Sequence, residues 1–275
     1  MIEAIPCEIG IEDQKVIIEL YRDRFSLESI VKMMPKYNKY NIYKLLSANH
    51  LMRNDRDKSL KYYCNEHYFE KIDTEEKAYW LGFMYADGYI ATTKNGSDNF
   101  GITLQESDKE HLEKFKKALC SNHPINIYKS AYGTYGVRLL ICNQKMVNDL
   151  IPKGVYRRKS LILKFPNSNI IPNDLVYDFI RGYFDGDGSL KKSGINKRNC
   201  YRLYDFNLLG TYEFLEKVRE VLDINYEIKK CNKNNDSNNY YLDFAKKSEV
   251  KRVTYLLYGN ATIYLDRKYQ RYKEI

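Results

Sequence analysis

Two stretches of this chain are near copies, and each ends in Asp-Gly. The first reads Trp80-Leu81-Gly82-Phe83-Met84-Tyr85-Ala86-Asp87-Gly88; the second reads Ile180-Arg181-Gly182-Tyr183-Phe184-Asp185-Gly186-Asp187-Gly188. Both are apolar and long enough for a helix. Each carries small residues four apart, Gly82 with Ala86 and Gly182 with Gly186. Residues four apart lie on one helix face, and small ones let a second helix approach closely. Two such helices packed face to face bring their C-terminal ends together, with Asp87 beside Asp187. Paired carboxylates repel unless a proton or cation intervenes, so this pair is a candidate divalent-metal site drawn from two halves of one chain.

More of the chain repeats at the same spacing. His111-Leu112-Glu113-Lys114-Phe115 is echoed by Phe214-Leu215-Glu216-Lys217-Val218, about 100 residues on. The basic segments Tyr156-Arg157-Arg158-Lys159-Ser160 and Leu265-Asp266-Arg267-Lys268-Tyr269 also correspond. A unit of ordinary domain size has been duplicated. The first copy reads as a helix from Thr74 to Ala86 with Asp73 and Glu76 spaced as a capping box. Strands follow near 88–93 and 100–105, then a helix from Lys109 to Cys120, strands near 125–128 and 136–142, and a helix from Lys145 to Leu150. The second copy repeats this αββαββα order. The fold class is therefore α+β, with two pseudo-symmetric domains at 73–166 and 167–275.

The first 56 residues differ in kind. Apolar residues at helical spacing mark three short helices, with Ser26 as an N-cap for the second and Pro35 ending it. The order resembles a helix-turn-helix of the resolvase and transposase type, whose last helix enters the major groove. Lys36, Lys39 and Lys44 lie on its polar side. Residues 57–72 read as a polar linker.

The net charge of +9 points to a polyanionic partner, most simply nucleic acid. Six cysteines form no CxxC and no zinc-finger spacing with the four histidines. No apolar run reaches membrane-spanning length and no N-terminal apolar leader is present, which points to a soluble cytoplasmic protein.

Over residues 73–275 the paired motifs, their spacing and the element order resemble the LAGLIDADG homing endonucleases in their single-chain, two-motif form. One departure is Tyr85, which stands where the first acidic position of the motif falls; Asp185 keeps that position in the second copy. The resemblance implies a saddle of two antiparallel sheets on duplex DNA, with Asp87 and Asp187 as catalytic metal ligands for Mg2+ or another divalent cation. It implies roles for Gln105 at a metal-bound water, with an apolar counterpart near Leu208, and for Lys159 and Lys268 as basic residues near the phosphate, with Arg158 and Arg267 as rivals. Outward strand residues Lys129, Arg138, Arg202 and Lys229 are candidates for DNA contact. The expected activity is site-specific hydrolysis of both strands of a long DNA target by a monomer. A silent DNA-binding regulator and an intron RNA maturase of the same fold remain open alternatives. No splicing Cys opens the chain and no His-Asn pair closes it, which argues against an intein.

Overall fold

The computed structural model describes residues 9–23, 25–49, 51, 62–93, 96–129, 133–157, 159, 162–195, 202–232 and 238–275. Side chains are described at all of these except 193, 195, 202 and 203. The chain divides into two compact units, one of residues 1–66 with 116–123, the other of residues 67–115 with 124–275.

The first unit contains α1 (Ile11–Arg22), α2 (Leu27–Met33) and α3 (Lys39–Ala48). Their apolar stripes meet in a small core of Ile17, Tyr21, Ile30, Tyr37, Ile42 and Leu46. Ser26 caps α2 by accepting from the Ser29 backbone N–H at 3.1 Å, and Asn38 caps α3 by accepting from Asn41 at 2.9 Å. Such caps satisfy donors that a short helix otherwise leaves to water. The outward face of α3 carries Tyr40, Tyr43 and Lys44, all exposed.

The second unit contains two copies of one pattern. The first copy is α4 (Glu75–Ala86), β1 (Gly88–Thr92), β2 (Asp98–Gln105), α5 (Lys109–Ala118), β3 (Ile125–Lys129), β4 (Tyr135–Ile141) and α6 (Gln144–Leu150). The second is α7 (Val176–Asp187), β5 (Gly188–Ile195), β6 (Arg202–Gly210), α8 (Tyr212–Val221), β7 (Ile228–Lys230), β8 (Tyr240–Phe244) and α9 (Lys247–Tyr258). One further helix, α10 (Asp266–Lys273), follows. Each copy folds a four-stranded antiparallel sheet, ordered β1-β2-β4-β3 and β5-β6-β8-β7. The predicted αββαββα order holds in both copies; α10 was not foreseen. The expected capping box of Asp73 and Glu76 does not form, since Glu76 accepts from the Tyr68 hydroxyl. Thr74 is the N-cap of α4, accepting from Lys77, while Asp73 instead pairs with the Lys77 ammonium at 2.9 Å.

Helices α4 and α7 form the seam of this unit. Every α4 side chain from Ala78 to Tyr85 is buried. A Cβ built on Gly82 would stand 2.0 Å from the Phe179 carbonyl oxygen, and one on Gly182 would stand 1.9 Å from that of Tyr79. The contact is reciprocal, as a pseudo-two-fold axis requires, and backbone meets backbone at both points. Nearer the C-terminal ends, a Cβ on Gly186 would stand 2.2 Å from that of Ala86.

The seam is not symmetric in chemistry. Arg181, where the first copy has Leu81, is 2% exposed. Its guanidinium donates to Glu75 at 2.7 Å, to Asp178 at 2.7 Å, and to the carbonyls of Ile263 and Leu257 at 2.9 and 3.0 Å. Glu75 in turn accepts from the Thr262 backbone and hydroxyl, both at 2.7 Å. One side chain thus ties the start of α4 to the segment after α9. Removing one partner of a buried ion network leaves the others desolvated and unpaired. Arg181→Met is therefore expected to cost about 3–5 kcal/mol. Denaturant melts followed by the fluorescence of Trp80, which is buried and the only tryptophan, measure this directly.

Candidate functional site

Asp87 and Asp187 sit at the C-terminal ends of α4 and α7. The Asp87 N–H donates to the Phe83 carbonyl at 2.9 Å, closing the last helical turn. The glycines that follow do not serve a left-handed turn, since neither Gly88 nor Gly188 has a positive φ. Close approach is what demands them: a Cβ on Gly88 would stand 2.6 Å from the Met84 carbonyl oxygen, and one on Gly188 2.5 Å from that of Phe184.

Both carboxyls are half-buried. Burial pushes the Asp87 carboxyl up to about 6, and the negative charge of Asp187 adds to the rise. Burial raises Asp187 too, opposed by the charges of Lys159 and Lys268 and by the Tyr183 hydroxyl beside it. Burial thus disfavours the charged form of both acids, and at Asp87 a neighbouring carboxylate adds to it.

Behind them lie two buried lysines. Lys159 Nζ donates to the carbonyls of Ala86 (2.9 Å) and Gly88. Lys268 Nζ donates to those of Phe184, Asp185 (2.8 Å) and Gly188 (2.6 Å). Each ammonium therefore plugs the carbonyl end of one seam helix, where the helix dipole favours positive charge. All three Lys268 protons are engaged in this way, so its influence on the acids is electrostatic, exerted from behind. Burial pushes its ammonium down to about 8.

Each acid opens onto its own cavity. Asp87 lines one of about 350 Å³ with Gln105, Asp108, Tyr128, Gly136 and Arg267. Asp187 lines one of about 290 Å³ with Tyr183, Leu209, Cys231, Asn239 and Tyr240. Strand register shows that the cavities occupy equivalent places. Gly88 pairs with Ile102 as Gly188 pairs with Leu208, so Gln105 corresponds to Thr211 and not to a position near Leu208. Thr211 is buried, and its hydroxyl donates to the Leu163 carbonyl at 2.6 Å. The first cavity also holds Arg267, whose Nε lies 3.1 and 3.2 Å from the two carboxylate oxygens of Asp108. Asp108 has no signature in the sequence, because a lone acid after a strand looks like any turn residue.

Asp185 turns inward. It is fully buried and accepts from the hydroxyls of Tyr79 (2.7 Å) and Tyr258 (2.5 Å) and from the Leu265 backbone N–H (2.7 Å). Tyr79 gives its only proton to Asp185, so its oxygen accepts from His111 Nε2 at 2.9 Å. That fixes the tautomer and leaves His111 Nδ1 without a hydrogen-bond partner among the described residues. Burial pushes the His111 imidazole down to about 3, so it is neutral. Tyr85, at the matching place in the first copy, donates to the Lys153 carbonyl at 2.5 Å. Its ring end needs the bare backbone of Gly154, where a Cβ would stand 1.9 Å from the hydroxyl.

The outward sheet faces carry the remaining candidates. Arg138 stands over the Tyr128 ring at 6.0 Å and Lys129 over Tyr135 at 5.9 Å. In the second sheet Lys229 pairs with Asp243 at 2.8 Å and stands over Tyr241 at 5.8 Å. In the helical unit Lys36 pairs with Asp13 at 2.5 Å, Lys39 pairs with Glu28, and Lys44 stands over Tyr40 at 5.6 Å. Arg202 is described only by its backbone, paired with Ile195, and Arg158 lies outside the described residues.

Among the described residues no three His, Cys, Asp or Glu side chains cluster as a metal site. The donor set is two carboxylates, with the Gln105 amide in the same cavity as Asp87. That suits magnesium, which keeps several waters and needs few protein oxygens. No helix among the described residues is long and apolar enough to cross a membrane.

Against known proteins, residues 174–257 match the family model of the LAGLIDADG-like domain. A curated relative, the probable translation initiation factor IF-2 of Methanocaldococcus jannaschii, is 28% identical over 196 residues, covering 68% of this chain. The match spans only 16% of that protein's length. Among solved structures, the LAGLIDADG homing endonuclease I-GzeII in complex with its DNA target is similar at a TM-score of 0.49 and 15% identity, covering 71% of this chain and 87% of that one. The homing endonuclease I-LtrWI bound to target DNA is similar at 0.47 and 14% identity, covering 76% and 88%.

Proposed function

We propose that the protein is a metal-dependent, site-specific endonuclease that hydrolyses both strands of duplex DNA. The observation that carries this reading is the meeting of Asp87 and Asp187 at the tips of two helices that cross at Gly82 and Gly182. The basic charge of the chain and the Arg, Lys and Tyr side chains of the outward sheet faces supply a surface for the duplex.

Asp87 and Asp187 would hold magnesium, which when bound supplies a water poised for attack and neutralises charge on the leaving oxygen. Gln105 orients water in the Asp87 cavity. Lys159 and Lys268 anchor the two helix ends and so position the acids. The α3 face with Tyr40, Tyr43 and Lys44 lengthens the DNA footprint. Lys36 and Lys39 exchange their present carboxylates for phosphates on binding.

Incubation with the insertion-free version of the locus that carries this gene, in magnesium, tests the assignment. The expected product is a linear duplex cut at one place. Binding without scission would make the protein a regulator, and tighter binding to intron RNA than to duplex would make it a maturase.

The raised Asp87 pKa predicts opposite trends in activity and stability. Protons compete with metal for the acids, so the magnesium needed for half-maximal cleavage is expected to rise steeply as pH falls below about 6. Without metal, the folded chain holds its Asp87 proton more tightly than the unfolded chain does. The stability this contributes is fully present below about pH 4 and is lost as pH rises through about 6. Magnesium titrations of the rate and metal-free thermal melts between pH 4 and 8 read the two trends.

A further inference from the structure

A third cavity, of about 360 Å³, lies between α9 and α10. None of the residues that line it lines the Asp87 or Asp187 cavity. Its walls are Tyr255, Tyr269 and Tyr272 with Thr254, and Lys251 and Lys273 stand at it. Tyr255 is 62% exposed, so its ring is open to a ligand. The Lys273 ammonium lies 4.9 Å from the centre of the Tyr269 ring, and the Tyr258 and Tyr272 rings stack at 5.5 Å. On α9, Lys247 and Lys251 precede Tyr255 at steps of four, so the three share one outward face and form a basic track that ends at the ring.

Tyrosine faces offer stacking to any nucleobase, and lysines at the mouth offer charge to the phosphates on either side. The volume is at the small end for ligand pockets and suits a single planar group. Duplex DNA keeps its bases stacked inside and cannot fill such a cup. We propose that the α9–α10 cavity is a binding site for one unpaired nucleotide of a single-stranded nucleic acid, stacked on Tyr255 and Tyr272, with its flanking phosphates on Lys251 and Lys273. This assignment is independent of the nuclease reading, since none of these side chains lines the site of the acids.

The test uses the whole chain in a large excess of nonspecific duplex, which competes for any general nucleic-acid surface. Fluorescently labelled ten-residue oligonucleotides, oligo-dT and oligo-U, are titrated by anisotropy, and 5-iodouridine or 5-iododeoxyuridine versions are photocrosslinked and mapped. Binding that survives excess duplex, crosslinks at Tyr255 or Tyr272, and a loss of about tenfold or more in Tyr255→Ala and in Lys251→Glu/Lys273→Glu are expected. All three altered side chains are exposed, so folding is spared, and unchanged thermal melts of the variants confirm it. The tighter of the two oligonucleotides tells RNA from DNA. Absence of binding under excess duplex, crosslinks confined to other segments, or unchanged affinity in both variants would overturn the site.

Discussion

Asp87→Asn and Asp187→Asn are each expected to slow cleavage of both strands on the order of 10³-fold, a loss of about 4 kcal/mol in transition-state stabilisation. The amide keeps the shape of the acid but cannot carry the charge a divalent cation needs. Both strands suffer because the two carboxyls sit together, close enough that the charge of Asp187 adds to the rise at Asp87. Gln105→Ala should behave differently. Its register counterpart, Thr211, commits its hydroxyl to the Leu163 carbonyl, so no equivalent amide serves the second cavity. Loss of Gln105 is expected to slow one strand about 10–100-fold and spare the other, so that nicked circles accumulate from a supercoiled target. End-labelled strands resolved on denaturing gels report both effects. Full-rate cutting by the double Asn variant would remove the acids from the mechanism.

The largest structural effect is expected at the helix crossing. Gly82→Ala and Gly182→Ala each place a carbon about 2 Å from a backbone oxygen of the opposite helix. No rotamer change relieves such a clash, because the obstacle is main chain. The helices must separate, opening a seam whose neighbours are fully buried aromatic rings. A cost of about 3 kcal/mol for each substitution follows, equivalent to a fall in Tm of about 6–12 °C for a unit of this size. The double variant should lose cooperative unfolding of the second unit. Retention of the parent Tm by Gly82→Ala would mean that the helices do not cross where their glycines meet.

The parts of the architecture written in local pattern could be read from the sequence. The seam glycines, the acids that follow them and the alternation in the strands all repeat, and a repeat is evidence that survives ambiguity in any one element. What escaped depends on partners far along the chain. Arg181 lies inside an apolar run and is tolerated there by Glu75, over one hundred residues earlier. Helix α10, Asp-Arg-Lys-Tyr-Gln-Arg-Tyr-Lys, has no apolar stripe, and Lys268 is its one buried residue. The counterpart of Gln105 lies beyond Leu208 because β5 and β6 are longer than β1 and β2. The repeat offset is therefore larger at the strand ends than at the motifs, and only hydrogen-bond register restores the correspondence.

The unlike residues of the two seam helices also govern which halves can join. A second copy of the α7 half, docked in place of the α4 half, would bring Phe179 where Tyr79 now stands, so Asp185 would lose a hydroxyl proton. It would bring a residue other than Glu75 opposite Arg181, leaving a buried guanidinium without its acid. Mispairing between chains during synthesis is thereby penalised at the same contacts that hold the correct partners together. Fusion into one polypeptide guarantees a one-to-one supply of the two halves, and the Arg181 and Asp185 contacts ensure that only the unlike combination is retained.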